Sequence, residues 1–167
     1  MIFAPSASTP PFCIAVTAIS PASRTAHQES GATGQAKIVT MILGIGTDLA
    51  EVHRIRESIE RFGARFVNRV YTERERAYAS SKANAAERFA ARFAAKEAGM
   101  KAIGTGWNHG VRWVDFEVVN ERSGRPTLQL HGVAAEVARK MGANRISISL
   151  THTVDTAFAV VILEDGA

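Results

Sequence analysis

The first forty residues carry no sustained hydrophobic period, and a patterned sequence begins only at Met41. The apolar run at 41–47 reads as a short strand. Val52, Ile55 and Ile59 then recur at helical spacing, which predicts a helix over 51–62. Gly63 breaks or bends it, with a second short helix over 64–70. Thr72 followed three positions later by Glu75 has the capping-box pattern and predicts a helix to about Ser80. Asn84 is placed to cap a long central helix over 85–102, stopped by Gly104-Thr105-Gly106. The second half is strand-rich. A strand over 112–119, a turn at 121–126 and a short strand over 127–130 precede a helix over 133–141 that ends at Gly142. Two β-rich runs, 146–152 and 156–163, read as a hairpin around Val154-Asp155, although that turn has no Asn-Gly or Asp-Gly signal. No internal repeat is present. From Met41 on, the reading is thus mixed, with both helices and strands.

Composition narrows the class. A chain of 167 residues, 46% hydrophobic and 22% charged, suits one globular domain with a real core. The single cysteine, Cys13, excludes an internal disulfide framework and a cysteine-based metal site. No apolar run approaches the ~20 residues needed to cross a bilayer. Residues 1–40 are rich in Ala, Ser, Thr and Pro, with only Arg24, Glu29 and Lys37 charged. They read as a disordered tail or short appendage ahead of a domain over 41–167. An export signal is a poor reading: no Lys or Arg precedes the apolar stretch at 12–19, and Pro5, Pro10 and Pro11 interrupt its approach. Met41, at the head of the patterned sequence, reads as the initiator, with the preceding residues arising from an upstream start.

The net charge of +4 fits either a mildly basic protein or one with a polyanionic partner. Aromatics are 7% of the chain and do not alternate with basic residues, so no stacking platform for bases is visible and nucleic acid ranks second.

At 100° per residue the central helix sorts into faces. Phe89, Phe93, Met100 and Ile103 form an apolar face. Arg88, Arg92 and Lys96 form a basic ridge. Glu97 and Lys101 lie one turn apart on another side, beside the small Ala90 and Ala94, which would allow a backbone or ligand to approach closely. Asp48 closes the segment GIGTD at 44–48. Two hard oxygen ligands with cations nearby suit a Mg²⁺-polyphosphate substrate. Each residue also has a plainer reading. Glu97 and Lys101 make an ordinary i, i+4 pair worth a few tenths of a kcal/mol. Asp48 would cap the next helix. His152, alternating with Ile146, Ile148 and Leu150, would be a structural hydrogen-bonding residue. Gly104-Thr105-Gly106 is a helix C-cap or a phosphate cradle, and no Walker sequence follows it. Arg54, Arg61 and Arg65 would share a face if helicity continued past Gly63. That face is either solvated beside Glu57 and Glu60 or a dock for an acidic helix.

Three ordered segments sharpen these choices: GIGTD at 44–48, RFAAKEAGMKAIGTG at 92–106 and ISISLTHTVDTAFAVVILE at 146–164. Together they resemble the holo-acyl-carrier-protein synthases, the short 4′-phosphopantetheinyl transferases, from Met41 to the C-terminus. The resemblance implies an α+β fold, with a small antiparallel sheet packed on the long central helix. It implies a cytoplasmic enzyme of fatty acid biosynthesis that transfers 4′-phosphopantetheine from coenzyme A to a serine of apo acyl carrier protein, leaving adenosine 3′,5′-bisphosphate. Mg²⁺ would sit on Asp48 and Glu97, with Lys101 beside the phosphates being cleaved, and these three would be catalytic. Coenzyme A would meet Arg92, Lys96, Lys101, Gly104, Thr105, Gly106, Arg125, Pro126 and His152. Arg125 replaces the lysine of the family's Gly-Lys-Pro turn, which keeps the charge and changes the donor geometry. His152 stands in Ser-Leu-Thr-His-Thr where the family reads Ser-Ile-Ser-His-Thr. Arg54 matches an arginine that contacts the acidic carrier protein, with Arg61 and Arg65 beyond it, whereas His53 departs from the commoner lysine or glutamate. The family's homotrimers carry their sites at subunit interfaces, which implies Asp48 and Glu97 from different subunits. Length and a single central motif disfavour the two-lobed transferases. A carrier-protein binder without turnover is the remaining rival.

Overall fold

A computed structural model describes residues 40–106 and 108–166; the N-terminal appendage expected over 1–40 lies, apart from Thr40, outside the described residues. Strand β1 (Ile42–Glu51) pairs antiparallel with β5 (Thr156–Glu164), and β5 pairs with β4 (Arg145–His152), giving the order β1-β5-β4. Strands β2 (Phe116–Asn120) and β3 (Pro126–Leu130) form a separate antiparallel pair. Four α-helices lie among the described residues: α1 (Val52–Val70), α2 (Glu73–Ser80), α3 (Ala85–Ala102) and α4 (Gly132–Met141).

Helix α3 lies along one face of the three-stranded sheet, against β1 and β5. Small side chains set that closeness. Ala90, Ala94, Ala95 and Ala98 of α3 and Ala157, Ala159, Val161 and Leu163 of β5 are buried. On β1 the approach is tighter still. A Cβ on Gly44 would meet the Ala102 carbonyl oxygen at 2.1 Å, and one on Gly46 would meet that of Ala98 at 1.9 Å. Only glycine lets the backbone come so near. The opposite face of the sheet is apolar and uncovered in the single chain: Ile45, Leu49 and Phe158 are exposed, with Leu49 paired to Phe158 and Ile45 to Ile162.

The expected helices form where the apolar spacing placed them. Gly63 has φ 53° and ψ −136°, which kinks α1 and takes Arg65 out of the face begun by Arg54 and Arg61. The capping box at the start of α2 is complete. Thr72 Oγ1 accepts from the Glu75 backbone N–H (3.3 Å), and Glu75 Oε2 accepts from that of Thr72 (2.9 Å). Asn84 precedes α3 without capping its backbone; its side-chain amide donates to Glu87 Oε2 at 2.8 Å.

Three expectations change. First, β1 extends to Glu51, because its pairing with β5 continues through Glu51 and Thr156. Asp48 is therefore inside the strand, opposite Ala159, and caps no helix. Second, the stretch 112–119 opens as a 3-10 turn (Trp113–Asp115) before β2. Asp115 is buried and accepts from the Arg112 backbone N–H and guanidinium, which holds that turn closed. Third, the basic ridge is no ridge. Lys96 is 0% and Arg92 3% exposed, because α2 and the β2–β3 pair cover the side of α3 that the sheet leaves open. Lys96 Nζ makes an ion pair with Glu75 Oε2 at 2.7 Å and donates to the Trp113 (3.1 Å) and Phe116 carbonyls. Its three N–H donors are thereby matched by three acceptors. Glu75, besides capping α2, accepts from the Val118 backbone N–H (2.9 Å) and so ties α2, α3 and β2 together.

The β4–β5 turn explains its missing signal. Thr153 Oγ1 accepts from the backbone N–H groups of Asp155 (3.3 Å) and Thr156 (3.1 Å). A threonine side chain thus organises the turn without an Asn-Gly pair.

Candidate active site

The close seam between β1 and α3 builds the first group of polar residues. Strand side chains alternate, so Asp48 shares the helix-facing side with Gly44 and Gly46. The same contact brings it to the last two turns of α3. Lys101 Nζ lies 2.9 Å from Asp48 Oδ1 and donates to the Thr47 carbonyl at 3.0 Å. Asp48 is 10% exposed and Lys101 24%. Glu97, one helical turn before Lys101, joins them. Burial, then the Asp48 charge and a hydrogen bond with Asp48, push the Glu97 carboxyl up to about 7, against the opposing pull of Lys101 and Arg54. Two carboxyl groups so close disfavour both carrying charge.

Asp48 and Glu97 therefore belong to one chain. The expectation that different subunits supply them is not met, because the glycines of β1 already bring Asp48 onto its own α3.

Among the described residues there is no group of three or more His, Cys, Asp or Glu able to cage a metal. Mg²⁺ does not need one. It is commonly bound by one or two carboxylates, with waters and substrate phosphates completing its shell. The half-buried Asp48–Glu97 pair, whose mutual repulsion a divalent cation would relieve, fits that donor set.

A second group surrounds Arg92. A pocket of about 230 Å³ is lined by Arg74 and Tyr78 of α2, Arg92 of α3, and Asn120 and Gly124 of the β2–β3 hairpin, among others. Arg92 Nη2 donates to Asn120 Oδ1 at 2.8 Å and Nη1 to the Arg88 carbonyl at 3.3 Å. Its Nε is buried and has no hydrogen-bond partner among the described residues. Burial lowers the Arg92 pKa. Arg125, exposed, and Pro126, paired with Asn120, continue the same hairpin turn. The sequence reading missed Arg74, Tyr78 and Asn120. The i, i+4 spacing of Arg74 and Tyr78 is the one trace they left, and it marks a shared helix face without marking what that face meets.

His152 stands apart from both. It is the last residue of β4, and its Nδ1 lies 3.3 Å from Glu87 Oε2 in the first turn of α3. Glu87 and Glu97 are ten residues apart on one helix, about 15 Å along its axis. Gly104 and Gly106 adopt positive φ (74° and 56°), and the Gly104 N–H donates to the Lys101 carbonyl at 3.1 Å. They end α3, with Thr105 between them. Arg54 sits exposed in the first turn of α1, 3.8 Å from Glu51, with its charge felt at Glu97. Arg61 and Arg65 are also exposed.

The chain thus gathers Asp48, Glu97 and Lys101, with Arg54 close by. It keeps Arg92 and His152 at other places and withdraws Lys96 into the interior. The first group offers paired carboxylates and an ammonium for handling a phosphate ester; the second offers a buried cation open to an anion.

Comparison with known proteins bears on these groups. Residues 44–158 match the family model of the 4′-phosphopantetheinyl transferase superfamily. A holo-[acyl-carrier-protein] synthase of Solibacter usitatus is 64% identical over 125 residues, covering 75% of this chain and 100% of the relative. One from Koribacter versatilis is 61% identical over the same shares. Among solved structures, a holo-(acyl-carrier-protein) synthase of Bacillus anthracis in complex with CoA (3′,5′-ADP) superimposes with a TM-score of 0.63 at 35% identity, covering 75% of this chain and 99% of that one. The Helicobacter pylori synthase in complex with coenzyme A gives 0.63 at 26% identity, covering 71% and 98%.

Proposed function

The chain belongs to the 4′-phosphopantetheinyl transferase superfamily, and from that premise we propose that it is a holo-acyl-carrier-protein synthase. It transfers the 4′-phosphopantetheine arm of coenzyme A to a serine hydroxyl of an apo acyl carrier protein and releases adenosine 3′,5′-bisphosphate. The observation that carries this reading is the Asp48, Glu97 and Lys101 group on the β1–α3 seam.

In the step, the serine oxygen forms a bond to the phosphorus on the pantetheine side of the pyrophosphate. The bond from that phosphorus to the bridging oxygen breaks, and the electron pair leaves on the 5′-phosphate of adenosine 3′,5′-bisphosphate. The serine proton passes to a water, with Glu97 placed to accept it through that water. The Lys101 ammonium stabilises charge on the departing phosphate. Mg²⁺, held by Asp48 and Glu97, supplies charge neutralisation on the pyrophosphate when bound. We place the nucleotide end of coenzyme A at Arg92, supported by the unpartnered Nε of a residue that lines the pocket and by the cationic Arg74 on the same lining. The carrier protein docks on the exposed arginines of α1, next to the carboxylates, where complementary charge orients it.

The working unit is a homotrimer. Two observations support it: the uncovered apolar face of Ile45, Leu49 and Phe158, and the distance within one chain between His152 and the carboxylates. A neighbouring subunit that covers the sheet face would bring its own His152 and complete a site at the interface. The setting is cytoplasmic fatty acid synthesis.

Intact-mass analysis of an apo acyl carrier protein incubated with the protein, coenzyme A and Mg²⁺ tests the reaction. A gain of one phosphopantetheine, lost with Asp48→Ala or Glu97→Ala, is expected. No gain with several authentic apo carriers and folded protein would leave carrier binding without turnover as the function.

A further inference from the structure

Arg92 is an unusual cation in this fold. It is 3% exposed, yet no carboxylate lies within ion-pair distance of it among the described residues. Glu75 of α2, whose charge Arg92 feels, is already engaged by Lys96 and by the backbone N–H groups of Thr72 and Val118. Two neutral oxygens, from Arg88 and Asn120, hold the Nη atoms, and Nε has no partner. What meets the guanidinium instead is Tyr78: the central carbon lies 4.2 Å from the ring centroid, and the Tyr78 side chain is also close enough for a hydrogen bond with it. That ring also carries Lys82 Nζ at 5.4 Å. A ring face offers a buried cation partial electrostatic compensation without using any of its N–H donors. A carboxylate in the same place would consume those donors and repel an anionic ligand.

We infer that Tyr78 is a positioning residue: its ring fixes the Arg92 guanidinium beside the pocket with Nε unspent, ready for an anionic group of coenzyme A. The inference rests on the transfer activity proposed above. Tyr78 and Arg92 both line the pocket, and Arg74 lies one turn before Tyr78 on α2. Asn120 anchors the guanidinium from the opposite wall at 2.8 Å. Positioning is assigned to the ring rather than to the hydroxyl that also bonds Arg92, and substitution separates the two. Leucine at 78 would keep much of the apolar volume and lose the electron-rich face, whereas phenylalanine would keep the face.

The test is calorimetric binding of coenzyme A to the full chain, with melting curves as a check on folding. Tyr78→Leu should weaken binding about tenfold, raise KM for coenzyme A in parallel, and leave KM for the carrier protein unmoved. Tyr78→Phe should restore most of the affinity. In an Arg92→Lys background, where the planar guanidinium is gone, Tyr78→Leu should cost much less, because the two residues act through one contact. Folded Tyr78→Leu protein that binds coenzyme A as tightly as wild type would overturn the inference. So would Tyr78→Phe binding as weakly as Tyr78→Leu, or an undiminished penalty in the Arg92→Lys background. Wild-type protein that does not bind coenzyme A would overturn the transfer activity, and the role of Tyr78 with it.

Discussion

Gly46 lies so close to Ala98 that a methyl group added to it would sit 1.9 Å from the Ala98 carbonyl oxygen. Two residues on, the same strand face carries Asp48, held by Lys101 at 2.9 Å. The glycine's missing side chain and the position of the Asp48 carboxylate are thus one structural fact. The obstruction is helix backbone, which cannot swing aside as a flexible side chain would.

Gly46→Ala should therefore separate β1 from α3 and carry Asp48 away from Glu97. The expected cost is about 1–3 kcal/mol from overpacking, read as a lower denaturation midpoint at unchanged slope. Activity should fall by about a hundredfold, since misplacing a catalytic group by an ångström has that order of effect. A fully active, equally stable Gly46→Ala protein would show that the seam does not set the site.

Lys96 yields a different signature. Its ammonium is spent on Glu75 and two carbonyls in the interior. Removing it leaves Glu75 as an uncompensated buried charge. Lys96→Ala should destabilise the fold by about 3–5 kcal/mol, while KM for coenzyme A of the protein that remains folded at low temperature stays near wild type. A large rise in KM without loss of stability would restore the cofactor-binding role that the sequence suggested.

That contrast shows what the sequence made legible. Helix faces, the α2 capping box, the break at Gly63 and the order of strands follow from local periodicity and short-range chemistry, and these appear in the structure. Asp48, Glu97 and Lys101 stood out because their motifs resemble a family, and one chain does bring them together. Lys96 was misread because a helical wheel gives the direction of a side chain but not what covers it. Burial on that side depends on α2 and β2, which are remote in sequence. Tyr78 and Asn120 left no motif, since they act through Arg92 and come from separate elements.

Glu97 should leave a mark on stability with pH. Its carboxyl is raised from an ordinary 4.5 to about 7, mainly by burial and then by Asp48. The folded state holds that proton more tightly than the unfolded chain does. Below about pH 4.5 both states are protonated and no penalty exists; as pH rises through 7 the folded protein must lose the proton at a cost. Without metal, wild type should thus lose stability across that window relative to Glu97→Gln. The difference should reach about 1 kcal/mol by pH 8, after allowance for solvent screening. Adding Mg²⁺ should raise the melting temperature of wild type at pH 8 and do little for Glu97→Gln. Parallel melting curves for the two proteins from pH 4.5 to 8 would refute the raised Glu97 carboxyl.

Subunit mixing tests the architecture of the site directly. Asp48 and Glu97 lie on one chain, so a trimer assembled from Asp48→Ala and Glu97→Ala subunits contains no site with both carboxylates. No recovery of activity is expected from that mixture, even after verified exchange. His152 is held at the far end of α3 by Glu87 at 3.3 Å, out of reach of its own chain's carboxylates. If a neighbour supplies it, mixing Asp48→Ala with His152→Ala should rebuild intact sites wherever a His152→Ala chain lends its carboxylates and an Asp48→Ala chain its histidine. Random assembly gives about a quarter of the sites that form. Recovery should therefore approach about a quarter of wild-type activity and appear only on the time course of subunit exchange. Recovery in the first mixture would separate the two carboxylates between chains; its absence in the second would confine His152 to a role within its own subunit.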